Sequence, residues 1–196
     1  MFKKLRTYFS QIAPLSDKEF TLLSDYLTVE CFPKKTFLLK KGEICTCHWF
    51  VKEGTLIKYK PGLNEEKHIL QFAVENWWLS DLESAAFEKP STLCIETLTD
   101  SEVIKINHKD YDILYKNIPA IHYVTRNVII RAAIANRKRL ENLLSLGAEE
   151  RYKLFVQKYP EISNRVPLHM VASYLGIKAE TLSRLRRKPM RESSIS

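Results

Sequence analysis

Residues 171–188 read VASYLGIKAETLSRLRRK, from Val171 to Lys188. A basic tail needs no internal order, yet a glycine stands in mid-course here and apolar residues recur at fixed intervals. With Ala172 taken as the fifth residue of a twenty-residue unit, Gly176 is the ninth. Val171, Leu175, Ile177, Leu182 and Leu185 then fall at the fourth, eighth, tenth, fifteenth and eighteenth places. This is the spacing of a helix-turn-helix. A small residue lets two helices cross closely, glycine takes the left-handed turn, and the apolar set fixes the second helix at its angle. That helix should begin at Lys178 and carry Glu180, Thr181, Ser183, Arg184 and Arg187 on its outer face. Such a face suits a major groove, where arginine bonds guanine in bidentate fashion and glutamate accepts from cytosine. Arg186, Arg187 and Lys188 are placed for phosphates. Double-stranded DNA is the expected partner. An ordinary helical hairpin with a basic surface is the competing reading, and it leaves the seven matching positions unaccounted for.

The distribution of charge points the same way. The chain of 196 residues has a formal net charge of +8. Residues 1–125 hold 16 Lys and Arg against 17 Asp and Glu, whereas residues 126–196 hold 15 against 6. The positive excess lies in the last third, as expected for a near-neutral unit joined to one that meets a polyanion. With 45% hydrophobic and 28% charged residues, the composition is that of a globular chain able to bury a core. No stretch approaches the roughly 18 uninterrupted apolar residues of a membrane span. The basic N-terminus lacks an apolar h-region, so neither a membrane nor a signal peptide is expected. Cys31, Cys45, Cys47 and Cys94 are too few and scattered for a disulfide framework. Read as reduced structural thiols, they indicate the cytoplasm.

Upstream, residues 28–106 alternate short β-type runs with turns. Strands are expected near TVECF, TFLLK, CHWFVK, TLIKYK, HILQFAV, TLCIETL and EVIKI, with Gly42, Gly54 and Gly62 in the gaps. Seven strands at near-regular spacing indicate a β-roll or jelly roll. Before them, Leu15, Phe20, Leu23 and Leu27 suit one short amphipathic helix. After them, HKDYDILYKN reads as a short helix, and Pro119 opens a long one ending near Leu146. On it, Ile118, Ile121, Thr125, Val128, Ala132 and Ala135 follow a 3-4 spacing that predicts a dimer seam. Ile130, Ala133 and Ile134 form a second apolar set, so one face can pack on the β unit and the other on a second copy. Gly147 ends this helix, and AEERYKLFVQKYP forms another that closes at Pro160. The expected class is α+β, divided as residues 1–117 (β-roll sensor), 118–146 (dimerisation helix) and 147–196 (helix-turn-helix).

A β-roll, a short helix, a long helix and a C-terminal helix-turn-helix together resemble the Crp–Fnr family of bacterial transcription regulators, over nearly the whole chain. The local matches are KKGE, FVKEGTLIKY, TDSEVIKINHKDYDILYKNIP and AETLSRL. The resemblance implies a homodimer joined by the long helix, base contacts from Glu180 and Arg184, a phosphate contact from His169, and RNA polymerase as a further partner. It also implies an effector pocket in the β-roll, for which Trp78, Asp81, Lys89, Ser91 and Thr92 are the candidates. Departures from the family narrow this. Members that bind cyclic AMP hold its ribose with a glutamate and its phosphate with an arginine, and those places are taken here by Asp81 and Ser91. Lys89 offers a point charge of different geometry. Cyclic AMP is therefore not the expected effector. The family's cysteine-rich iron–sulfur signature is missing, no haem-ligand motif stands out, and no cofactor is expected. Lys178 is a weaker N-cap than Ser or Thr. Ala179 replaces a family arginine, which should change base preference. Only eight residues follow Lys188, so the usual C-terminal wing is absent or reduced.

Two other classes deserve comparison. A metal-dependent cupin would pair His48 with a second histidine at position 50, which is Phe50 here. Glu53 is out of step, and His68 alone builds no site. Neither a Ser-His-Asp arrangement nor a phosphate-binding loop occurs, and a non-enzyme is expected. A regulatory module that binds a ligand and acts on a protein partner would leave the helix-turn-helix unused. An aromatic group, Phe72, Trp77, Trp78 and Phe87, suits either a small-molecule pocket or a packing core.

Overall fold

The β-type runs pair into two four-stranded antiparallel sheets. The computed structural model describes residues 1–63 and 66–187. Two short helices, α1 (Lys3–Ser10) and α2 (Asp17–Ser24), come first. Six strands follow: β1 (Thr28–Phe32), β2 (Phe37–Leu39), β3 (Cys47–Glu53), β4 (Leu56–Pro61), β5 (Lys67–Ala73) and β6 (Trp78–Leu79). Next are α3 (Leu82–Phe87), β7 (Cys94–Thr97) and β8 (Ser101–Asn107). A 3-10 turn at His108–Asp110 leads into α4 (Tyr111–Asn117) and the long α5 (Pro119–Ser145). The chain continues through α6 (Ala148–Lys158), α7 (Pro160–Arg165), α8 (Leu168–Leu175) and α9 (Ala179–Arg187). One sheet runs β1-β8-β3-β6 and the other β2-β7-β4-β5. All seven expected strands are present, and β6 is an added two-residue edge.

Local chemistry sets the boundaries. Ser16 caps α2 in a reciprocal box: its hydroxyl accepts from the Glu19 N–H, and its own N–H donates to Glu19 Oε2 at 2.8 Å. Gly54, between β3 and β4, holds φ at +101°, and a Cβ there would lie 2.7 Å from the Asp100 carbonyl. Only glycine fits that turn. Pro160 both stops α6 and supplies the first turn of α7, since its missing N–H is harmless at that position. Arg151 donates to the carbonyls of Leu143 and Leu146, closing the C-terminal end of α5.

Three apolar clusters hold these elements. Between the sheets lie Leu39, Trp49, Val51, Leu56, Leu79, Ile95 and Val103. On one outer side, α1, α2, α4 and the start of α5 cover Phe50, Ile104 and Ile106 with Leu5, Phe9, Leu23, Leu114 and Ile121. On the other, Ile57, Tyr59, Ile69 and Phe72 share a cluster with Phe155, Val171, Leu175 and Leu182. The helical head thus packs directly on the roll.

α5 shows which of its two apolar sets turns inward. Ile118 and Ile121 are 0% and 1% exposed, and Val128 packs against the same core. Ala132 and Ala135 line a cavity within the chain. The expected seam from Ile118 to Ala135 is therefore the helix's own packing face. The free face carries Tyr123, Ile130, Ile134, Leu140 and Leu144, each at least 44% exposed.

His48, weighed as a cupin ligand, lies in β3 with Nε2 3.2 Å from Nδ1 of His108. Among the described residues no three His, Cys, Asp or Glu side chains cluster to hold a metal. Burial, and then the adjacent His108, push the His48 pKa down from 6.5 to about 4. Above about pH 6.5 both folded and unfolded imidazoles are neutral, and His48 makes no pH-dependent contribution. Between about 6.5 and 4 the unfolded chain binds a proton that the folded one refuses. Stability should fall over that window by on the order of 3 kcal/mol. Denaturant titrations at about pH 7 and about pH 4.5 measure the loss. His48→Gln should flatten it, and an unchanged slope would assign it to other groups.

Candidate nucleic-acid interface

The segment expected to form the helix-turn-helix begins with α8, whose inner face buries Val171, Ala172 and Leu175. Gly176 then takes φ +64°, and the turn closes through Gly176 N–H to Ser173 O and Ile177 N–H to Ala172 O. Lys178 precedes α9, and its carbonyl accepts from Leu182 N–H at 3.1 Å. Leu182 is fully buried, while Ile177 and Leu185 are half-buried. All seven positions read as scaffold thus take the places expected of them.

The outer face is basic. Lys178, Glu180, Arg184, Arg186 and Arg187 are exposed, and Ala179, Thr181 and Ser183 are half-buried. Glu180, Arg184 and Arg187 stand four and three residues apart and share one side of α9. Glu180 lies in the first turn, where the helix dipole favours a carboxylate. His169 is exposed in the first turn of α8. Lys188, expected to meet phosphate, lies outside the described residues, as does the segment where a wing would be.

Two residues that the sequence did not single out fix this head to the roll. Ser173 on α8 donates to the Lys67 carbonyl at 2.8 Å and accepts from Ile69 N–H at 3.0 Å, so it pairs with the free edge of β5. Arg139 on α5 donates to the carbonyls of Ile69, Leu70 and Tyr174, with its guanidinium 4.1 Å from the Tyr174 ring centroid. At the far side, Arg165 Nη1 bonds both carboxylate oxygens of Glu75. A polar residue within an apolar stretch was the sole hint at Ser173, and Arg139 gave none.

Comparison with solved structures places this architecture. The CLP regulator of Xanthomonas campestris, described as a c-di-GMP-responsive global regulator, superposes with a TM-score of 0.71 at 13% identity, covering 87% of this chain and 89% of that one. FixK2 from Bradyrhizobium japonicum gives 0.69 at 15%, covering 82% of each chain. A crystal structure described as a putative Crp/Fnr-family transcriptional regulator from Eubacterium rectale gives 0.65 at 18%, covering 88% and 82%. The fold is that of the Crp–Fnr regulators. No family model and no curated relative matches the sequence.

The segment before β7, a cassette expected from the sequence to line an effector pocket, is closed upon itself. Asp81 is buried and caps α3, with Oδ1 accepting from Ser84 N–H. Its Oδ2 accepts from the Ser91 hydroxyl at 2.6 Å, and Ser91 Oγ accepts in turn from Leu93 N–H. Ser91 N–H and C=O are bonded to Glu43 and Gly42. Lys58, which sequence reading missed, reaches in from β4 and donates to the Ser80 carbonyl at 3.0 Å. Burial lowers its pKa, and the charge of Asp81 partly opposes the fall. Lys89 and Thr92 are exposed. Trp78 is tilted against Phe50 and lines a cavity beneath α5 that neither Asp81 nor Ser91 reaches.

Proposed function

We propose that the chain is a sequence-specific DNA-binding transcription regulator of the Crp–Fnr type, acting as a homodimer. The observation that carries this is the α8–Gly176–α9 unit, which buries its apolar set and turns Glu180, Arg184 and Arg187 outward. The positive excess of residues 126–196 supports it. So does the free apolar face of α5, which would join two copies and bring two α9 helices to successive grooves. On this reading residues 1–117 are the sensor, 118–146 the dimerisation helix and 147–196 the reading head. Lys178, Ala179, Thr181, Ser183 and His169 frame the DNA surface, and RNA polymerase is the further partner. Selection from a random duplex library should enrich an inverted repeat. Binding that depends on salt but enriches no sequence would overturn the reading.

Cyclic AMP is not the effector on this reading. Its phosphate would meet the Ser91 hydroxyl and its ribose an Asp81 already engaged at both oxygens. Losing one bidentate charged contact lowers affinity by at least about 100-fold. Calorimetry with cyclic AMP should show binding weaker than about 10 μM. A submicromolar Kd would mean that the cassette opens and that Lys58 or Lys89 takes the phosphate.

A further inference from the structure

A cavity of about 450 Å3 lies where the roll, α5 and the helical head meet. That is within the usual size of small-molecule sites. None of Asp81, Lys89, Ser91 and Thr92 lines it. Phe72, Trp77 and Trp78 come from the roll, and Phe155, Tyr159 and Tyr174 from the head. These rings already contact one another edge-on or tilted, as in Phe72–Tyr174 at 5.3 Å and Trp77–Tyr159 at 5.7 Å between centroids. The remaining space is bounded by ring faces and edges, the surroundings that favour a flat guest.

The polar groups of the cavity carry a single sign of charge. Arg131 on α5 and Lys158 on α6 line it, beside Gln71, Asn76 and Asn136. No carboxylate does, among the described residues. Both cations are exposed, and neither is engaged in an ion pair among the described residues. Tyr8 lines the cavity with Arg131; burial raises its phenol pKa, and the Arg131 charge opposes the rise. Lys158 Nζ lies 5.0 Å from the Tyr159 ring centroid, and a neutral guest would leave both cations at the cavity without a counter-charge. An anion would answer both.

We propose that this cavity is a binding site for a planar aromatic anion, a fused-ring carboxylate or its like, distinct from the cyclic-nucleotide cassette. Its rings would pack against the ring faces and edges that Trp77, Trp78, Tyr159 and Tyr174 turn to the cavity, and its acid group would meet Arg131 and Lys158. Because the walls come from both parts, such a ligand binds only the docked arrangement and stabilises it.

The test needs no DNA, so failure of DNA recognition leaves it intact. Full-length protein is titrated by calorimetry with 2-naphthoate and with neutral 2-naphthylmethanol. Naphthoate should bind saturably and on the order of tenfold or more tighter than the alcohol, the worth of one charged hydrogen bond. Arg131→Met with Lys158→Met should remove that preference and leave the alcohol unaffected. Ala132→Trp, which fills the space from α5, should abolish both. Equal affinity for the two probes, binding indifferent to these substitutions, displacement by cyclic AMP, or no saturable binding to about 1 mM would each overturn the site.

Discussion

Ile130→Glu combined with Ile134→Glu should leave the protein a monomer of 22.9 kDa at concentrations where the unaltered chain, as the proposed dimer, should scatter light as twice that mass. The helix concerned, α5, runs for 27 residues, about 40 Å. Its inward face is spoken for by Ile118, Ile121, Val124 and Val128. Its outward face carries Tyr123, Ile130, Ile134, Leu140 and Leu144, at intervals of seven, four, six and four residues that keep them on one broad side of the helix. In a two-fold assembly each substitution occurs twice, so four carboxylates would enter the seam without partners. Each uncompensated buried charge costs about 3–5 kcal/mol, and together they exceed what a standard interface holds in reserve. The protomer should remain folded, since both side chains already face water in the single chain. Val128→Glu is the control: it should weaken the protomer's own core and cannot serve as a test of the seam. A dimer that survives the double substitution would move the interface away from α5.

That control marks the limit of what the sequence could say. Both apolar sets on α5 satisfy a helical period, and periodicity is blind to whether a face meets its own chain or another. The roll decides it, because Phe50, Ile104 and Ile106 need covering and the Ile118–Val128 side of α5 lies over them. Strongly local patterns were legible. Seven strands, the Pro119 start of α5 and the turn at Gly176 each rest on residues within a few positions of one another. Short elements were not: β6 has two residues, α3 and α7 six each, and α1 offers little beyond Leu5 and Phe9. Groups that meet across long separations were also hidden. Asp81 and Ser91 could be compared with a family pattern, but Lys58 enters from β4. Ser173 meets the β5 edge more than a hundred residues away, with no trace in the pattern of either segment.

Arg184→Ala should cost sequence discrimination, while Arg187→Ala should cost affinity alone. The two arginines lie three residues apart on the exposed side of α9, but at different depths along it. With the N-terminal end of the helix entering the groove, Glu180 and Arg184 would reach base edges, and Arg187, the last residue of α9, would meet the backbone. Loss of a bidentate arginine–guanine contact costs about 1–3 kcal/mol, and the two-fold dimer loses it in both half-sites, about 2–6 kcal/mol in all. The loss should be confined to operators with the preferred base at that position, and it should vanish on duplexes altered there. A phosphate contact carries no such information. Arg187→Ala should weaken every duplex in the same proportion and shallow the slope of log K against log salt by about 0.9 per contact. Affinities on a panel of single-base operator variants, taken at two salt concentrations, separate the two behaviours. If Arg184→Ala lowers all duplexes alike and Arg187→Ala shifts the preferred base, then α9 enters the groove by its other end, and Glu180 faces the backbone.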